Sequence, residues 1–288
     1  MAQSPAPILS DAGGPGEPPE TVNPEWPEAR VAEASRQLEA ESPLAILEWA
    51  TRHFQYPRLC SSTSFQPAGI ALLHMSMKIN PALPVYFVDT GFHFPETLAY
   101  RDQIVNLLGI NLITLMPAMA QADFGARYGL DLHDRDPDTC CAINKVEPMR
   151  RALENHDAWI ASLRRDGGAA RKNTPILQRL LTGVIKIHPL AKYRREQVML
   201  YLRGNNLPAH PLIDRGYKTI GCRPLSCTRP VAAGEDERAG RWVGRSKDEC
   251  GLHTFGVGGS ADGAGSVQSA SKSQALKALD NIEGGAGI

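Results

Sequence analysis

Read from its N-terminal side, the chain places apolar residues first at helical spacing. Val31, Ala34 and Leu38 mark a helix over residues 28–41, and Ser42-Pro43 opens a second whose apolar face carries Leu44, Leu47 and Ala50, with Ile46 at its margin. From residue 58 the pattern changes to short apolar runs separated by longer helical stretches. Strands are expected at residues 58–60, 84–88, 110–115, 157–163 and 184–188. Helices are expected at 68–79 behind Pro67, from about 97, at 119–128, at 141–154 and from Pro189 to 202. Strand and helix in alternation predict an α/β fold with a mainly parallel sheet, whose ligands collect beyond the C-terminal ends of the strands.

The segments that break this pattern carry the candidate chemistry. After the first strand comes Ser61-Ser-Thr-Ser-Phe-Gln66, a hydroxyl-rich loop at a helix N-terminus. It reads equally as an anion site and as a plain serine cap, and it lacks the glycines and lysine of a P-loop. The second strand ends in Asp89-Thr-Gly91, which makes Asp89, Thr90 and Gly91 candidate nucleotide contacts. Arg164 stands at a later strand end, and Arg171 lies on a Gly/Ala/basic loop at residues 167–173. His93 reads as a structural histidine and Cys60 as a core residue.

Composition narrows the classes. The chain has 288 residues, with 31 Lys plus Arg against 31 Asp plus Glu, so no overall charge argues for nucleic acid or a membrane surface, and an anion site has to be a local cluster. No apolar run reaches bilayer length, and the start lacks a signal-peptide pattern, which predicts a cytoplasmic chain. Residues 1–24 and 255–288 are Pro/Gly/Ser/Ala-rich and read as disordered ends, with a weak helix at 274–282. Between them lies one domain, 25–254: a nucleotide-binding core at roughly 45–220, then a cysteine loop and tail at 221–254.

Six cysteines in a chain without an export signal point to metal or catalysis rather than disulfides. Cys140, Cys141, Cys222 and Cys227 form a candidate set for zinc or an iron–sulfur cluster, and spacing does not choose between them. Adjacent cysteines on a regular helix point about 100° apart, so joint ligation needs a helix end or a distortion. Cys140 is expected at the start of its helix. Cys250, within Lys247-Asp-Glu-Cys-Gly-Leu-His253, is the candidate nucleophile: Arg238, Arg241, Arg245 and Lys247 precede it and His253 follows, while Glu249 opposes thiolate formation.

Taken together, SSTSFQPAGIALLHM, VYFVDTGFHFPET, the CC pair with Lys145, HPLAKYRREQV, NNLPAHPLIDRGYKTIGC, CTRPVAAGEDERAGRW and KDECGLH resemble the thioredoxin-dependent adenylylsulfate (APS) reductases over roughly residues 45–254. The resemblance implies a doubly wound sheet of the adenine nucleotide alpha-hydrolase-like (PP-loop) type. It also implies reduction of adenosine 5′-phosphosulfate to sulfite and AMP by thioredoxin or glutaredoxin through an S-sulfonate on Cys250. By the same resemblance Lys145, Arg238, Arg241 and His253 offset the substrate's charge, while Ser61, Ser62, Asp89, Gly91, Arg164 and Arg171 hold the nucleotide. Cys140, Cys141, Cys222 and Cys227 would bind a 4Fe-4S cluster. Two departures stand out: four residues separate Cys222 from Cys227 where the family has two, and Asn144 replaces the usual Arg before the lysine. Reduction of the 3′-phosphorylated analogue (PAPS) is the nearest alternative. An adenylating pyrophosphatase lacks its glycines here, and a non-catalytic zinc-stabilised binding protein is the alternative of another class. A homo-oligomer is compatible with the sequence.

Overall fold

The computed structural model describes residues 25–247 and 249–257; the expected disordered ends and the helix at 274–282 lie outside them, apart from 255–257. The helices α1 (Glu28–Leu38) and α2 (Pro43–His53) come first, followed by β1 (Leu59–Ser62), α3 (Pro67–Ile79), β2 (Val85–Val88), α4 (Pro95–Leu108), β3 (Leu112–Leu115) and α5 (Gln121–Tyr128). Two short helices, α6 (Leu132–Arg135) and α7 (Pro137–Cys141), lead through a π-helical turn at Ala142–Val146 into α8 (Glu147–Leu153). Then come β4 (Ala158–Ile160), a 3-10 turn at Ala169–Arg171, β5 (Leu177–Arg179), β6 (Ile185–Ile187) and α9 (Arg195–Gly204).

The six strands among the described residues form one sheet in the order β3-β2-β1-β4-β6-β5. All neighbours run parallel except β5, which pairs antiparallel with β6 at the edge. The expected α/β fold with a mainly parallel sheet is therefore observed. β5 had no strand signal: Leu-Gln-Arg is too short to show a period, and its Gln and Arg are only half buried because they sit at an edge.

A parallel sheet has to cover both faces. On one face Leu59, Val85, Phe87, Ile160, Ile185 and Ile187 pack under α1, α2, α3, α4 and α9 in the main core. On the other face Cys60, Tyr86, Trp159 and Ala161 meet Met149 and Leu153 of α8, and then Leu252, Phe255 and Val257 of the C-terminal tail. Cys60 is wholly buried, and burial pushes its thiol far up. His93 is anchored by its Nε2, 3.0 Å from the Val88 carbonyl oxygen, as a structural histidine.

Local differences from the sequence reading have local causes. In α2, Ser42 Oγ accepts from Ala45 N at 3.2 Å as the expected cap, but the buried face is Pro43, Ile46, Leu47 and Ala50, and Leu44 is 42% exposed. The helix expected from Pro189 begins only at Arg195, where the backbone N–H donates to Asp166 Oδ2 at 2.7 Å and Gln197 Oε1 accepts from Arg194 N. Cys140 and Cys141 close α7 rather than open a helix, and a π-helical turn follows them.

Ile46→Ala is expected to cost about 2–5 kcal/mol in a denaturant titration and Leu44→Ala under about 0.5 kcal/mol. Equal costs would return Leu44 to the buried face.

Candidate active site

The site lies beyond the C-terminal ends of β1 and β4, with the hairpin around residues 228–241 and the tail folded over it. Ser64, Gln66, Pro67, Ala68, Ser162, Arg164, Gly167, Arg171, Thr219, Glu237, Arg238 and His253 line one pocket. Its floor is the N-terminus of α3. Pro67 at N1 has no N–H to satisfy, and no side chain among the described residues caps this helix, so the first-turn donors and the positive end of the dipole face the pocket. The turn into α3 is tight: Phe65 sits at φ 55°, its N–H donates to Thr63 Oγ1 at 3.0 Å, and Gln66 Oε1 accepts from Ile220 N at 3.0 Å.

The structure shifts the expected hydroxyl contacts along this loop. Ser61 Oγ donates to the Ile160 carbonyl at 3.2 Å, and Ser62 Oγ accepts from Trp159 Nε1 at 2.8 Å, so both serve the sheet. Ser64 and Ser162 line the pocket instead. Neither was singled out in the sequence. Strand alternation could have indicated them, because only residues past the last strand pair are released from the ladder. Asp89 and Gly91 stand outside the pocket: Asp89 Oδ1 accepts from Gly91 N at 3.0 Å, while Thr90 between them reaches the cysteines.

Arg164, Arg171 and Arg238 do converge there, each held by an acid. Arg164 donates to Asp166 at 2.8 Å and to Glu237 at 2.7 Å. Arg171 grips Glu249 with two bonds of 2.6 and 2.9 Å, and Arg238 lies 3.6 Å from the same carboxylate. Glu249, read from sequence as working against Cys250, is thus also a tether from the tail to the loop after β4. Burial would raise its carboxyl, but Arg171 and Arg238 hold it below the usual range.

The second part of the site is a cavity lined by Thr90, Cys140, Cys141, Asn144, Lys145, Cys222, Cys227, Arg241 and Trp242, among others. Burial and the neighbouring thiols push Cys140 up to about 12; burial pushes Cys141 up to about 11 although Lys145 and Lys247 pull it down. Polar side chains turn to two sulfurs: Asn144 Nδ2 lies 3.7 Å from Cys140 Sγ, and Thr90 Oγ1 lies 3.6 Å from Cys222 Sγ. Soft thiols around one cavity with donors turned to the sulfurs fit an iron–sulfur cluster by donor chemistry. Among the described residues no group of three or more His, Cys, Asp or Glu converges as a single ion would require.

Cys250 packs against Cys141, Cys227 and Trp242, which joins the two parts. Burial and Glu249 push its thiol up, yet Lys145, a hydrogen bond from the Leu252 backbone and Arg241 outweigh them, so it lies below the ordinary cysteine value. Lys145 responds in kind: burial alone would lower it, but Cys222, Cys141 and Cys250 hold it above the usual lysine value. Arg241 is fixed by donating from Nε to the Cys227 carbonyl at 2.8 Å and by stacking 4.3 Å over Trp242. Burial, Lys186 and Arg171 push His253 well below its ordinary value, so it is neutral at physiological pH and offers hydrogen bonds rather than the charge expected of it. A thiol lowered by Lys145 and Arg241 beside a pocket lined by arginines has the features that a nucleophilic displacement on an anion would use.

Residues 58–230 match the phosphoadenosine phosphosulfate reductase domain. The adenosine 5′-phosphosulfate reductase of Streptomyces coelicolor is 44% identical over 226 residues, covering 78% of this chain and 94% of that protein. The phosphoadenosine 5′-phosphosulfate reductase of Gloeobacter violaceus is 45% identical over 221 residues, covering 76% and 91%. The crystal structure of a phosphoadenylyl-sulfate reductase from Candida auris, 27% identical, covers 68% of this chain and 96% of its own with a TM-score of 0.61.

Gly240 is where the hairpin admits no side chain, since a Cβ there would stand 2.2 Å from the Arg229 carbonyl oxygen, whereas Gly204 has open space. Gly240→Ala is expected to displace Arg241 and cut turnover at least about tenfold, with Gly204→Ala unchanged. Equal turnover in both, measured beside thermal melts, would separate Arg241 from the chemistry.

Proposed function

The chain belongs to the phosphoadenosine phosphosulfate reductase family, and we propose that it reduces adenosine 5′-phosphosulfate to sulfite and AMP with a thioredoxin-class dithiol, through a sulfonate carried on Cys250. The observation that carries this reading is the Cys250 thiol, kept low by Lys145 and Arg241 beside a pocket lined by Arg164, Arg171 and Arg238.

In the first step the Cys250 thiolate attacks the substrate's sulfonyl sulfur. The bond from that sulfur to the phosphate oxygen breaks, and AMP leaves with the electron pair. Attack by an anion on an anion needs local positive charge, which Lys145, Arg238 and Arg241 supply on the approach side and the α3 N-terminus supplies on the nucleotide side. Neutral His253 donates or accepts a hydrogen bond at the pocket wall. In the second step a thiolate of the donor attacks Cys250 Sγ and expels sulfite. The donor's second thiol then resolves the mixed disulfide and returns Cys250 as a thiol. The sulfur gains two electrons, and the dithiol supplies both by closing to a disulfide. Such donors are kept reduced in the cytoplasm, where we place the enzyme. Among the described residues no helix is long and apolar enough to cross a membrane.

Cys140, Cys141, Cys222 and Cys227 would hold a 4Fe-4S cluster. When bound it supplies a fixed charge near Lys145 and ties the cysteine loop to α7. Reduction of the 3′-phosphorylated substrate is the second reading, supported by the name of the Gloeobacter violaceus relative.

Two experiments test this. Intact mass after mixing with either nucleotide, without a thiol, is expected to show one sulfo group on Cys250 from adenosine 5′-phosphosulfate, and none in Cys250→Ser, whose turnover falls at least about 10³-fold. Labelling only by the 3′-phosphorylated nucleotide would establish the second reading, and turnover retained by Cys250→Ser would sink the mechanism. Cys227→Ser is expected to lose iron on metal analysis; unchanged iron removes Cys227 from the ligand set.

A further inference from the structure

Lys186 has no part in the chemistry above, yet it occupies an unusual place. It is the middle residue of β6, in register with Trp159 of β4, and its side chain is fully buried. Its Nζ rests 4.2 Å from the centre of the Trp159 ring and donates to the carbonyl oxygen of His253 at 3.3 Å. That is its one hydrogen bond among the described residues, from a group with three donors. No carboxylate among those residues pairs with it: Glu249, the acid that faces it, is taken by Arg171 and Arg238. The cover over Lys186 is the tail itself. His253 and Phe255 lie 6.3 and 5.9 Å from the Trp159 ring centre, and Gly256 O accepts from Leu181 N at the edge of the sheet.

A buried ammonium with one acceptor and no counter-ion opposes the burial that surrounds it. The tail creates that burial when it docks, and lifting the tail returns Lys186 to water. We propose that Lys186 is a positioning residue of the reaction cycle: a charge beneath the catalytic tail that keeps docking shallow, so that Cys250 can serve the nucleotide and then a thiol donor. The inference rests on the sulfonate reading for its purpose, though not for its physics.

The groups that face Lys186 set the sign of its pH dependence. They are His188 directly after β6, Arg171 from the loop after β4, and Glu249, Cys250 and His253 from the tail. His188 adds no countercharge: its Nδ1 lies 2.8 Å from the Pro175 carbonyl, its Nε2 has no hydrogen-bond partner among the described residues, and burial and Lys186 push it down to about 3. Burial pushes Lys186 itself down to about 7, with Cys250 and Glu249 pulling up and Arg171 down. A base whose value is depressed only when the tail is docked releases a proton on docking. Docking therefore strengthens as pH rises from about 7 towards the free-lysine value and is weakest below that window.

Chymotryptic cleavage after Phe255 reads the open tail, because that ring is packed on Trp159 when docked. Full-length wild type, Lys186→Met and Lys186→Arg would be compared at equal protease and pH, with cleavage followed by mass spectrometry. Lys186→Met removes the charge and is expected to be cut at least tenfold more slowly than wild type at pH 6.5, with that ratio shrinking at least fivefold by pH 9. Titration of Cys250 is common to all three chains and largely cancels in the ratio. Lys186→Arg keeps the charge at every pH and is expected to be cut faster than wild type, most clearly at pH 9. A ratio that does not change with pH, or an Arg variant no more open than wild type, overturns the inference. Lys186→Gln repeats the comparison should Lys186→Met fail to fold. In the half-reactions, Lys186→Met is expected to keep Cys250 sulfonation while releasing sulfite to a dithiol at least fivefold more slowly; equal slowing of both steps also overturns it. Should no chain form the adduct, the functional reading fails while the cleavage ratios still judge Lys186.

Discussion

A parallel sheet cannot leave either face wet, and in this protein the second face is finished by the segment that carries Cys250. α8 covers Cys60, Tyr86 and part of Trp159; Leu252, Phe255 and Val257 of the tail cover the rest. Docking the tail is thus a folding event, driven by apolar burial worth about 25 cal/mol per Å². It also brings Cys250 against Cys141, Cys227 and Trp242. The position of the thiol follows from completing the sheet.

Charge balance then decides what that thiol can do. Burial disfavours the thiolate, and Lys145 and Arg241 reverse the preference from one side. On the other side the arginines that would meet an anionic substrate are already paired, Arg164 with Asp166 and Glu237, Arg171 and Arg238 with Glu249. Such pairing keeps the buried guanidinium groups from bearing the whole desolvation cost while no ligand is present. An incoming phosphosulfate would exchange with carboxylates rather than enter an unbalanced field. Glu249 has two effects at once: its charge raises the Cys250 thiol, and its bonds to Arg171 hold Cys250 in place.

Most of the fold was legible because β2 (Val-Tyr-Phe-Val) and β4 (Ala-Trp-Ile) are continuous apolar runs, β1 and β6 are short apolar stretches between helices, and Pro67 and Ser42-Pro43 mark helix starts. The edge strand β5, of whose three residues Gln178 and Arg179 are only half buried, carried no such signal. The start of α9 was displaced because its cap comes from Asp166, distant in sequence. At the site, residue types and convergence were legible for Cys250, Lys145, Arg164, Arg171, Arg238 and Arg241. The direction in which a side chain points was not. Ser61 and Ser62 turn to Ile160 and Trp159, leaving Ser64 and Ser162 to the pocket, since strand alternation fixes orientation only once strand ends are known. The neutrality of His253 was hidden too, because it comes first from burial and then from Lys186, Arg171 and His188, which meet it only after folding.

The lengthened spacer between Cys222 and Cys227 shows how a local departure can be absorbed. Pro224 O accepts from both Cys227 N at 2.8 Å and Thr228 N at 3.0 Å, which closes the four intervening residues into a compact turn. The extra length is directed outward, with Leu225 at 70% exposure, while Cys222 and Cys227 both remain on the cavity wall with Cys140 and Cys141. Arg223 N donates to Phe92 O at 2.7 Å, and Arg241 donates to Cys227 O at 2.8 Å, so each end of the turn is tied to a different part of the frame. What such a site requires is that the two sulfurs face the same space. Anchoring at both ends, with the turn closed on Pro224, holds Cys222 and Cys227 on the wall of one cavity.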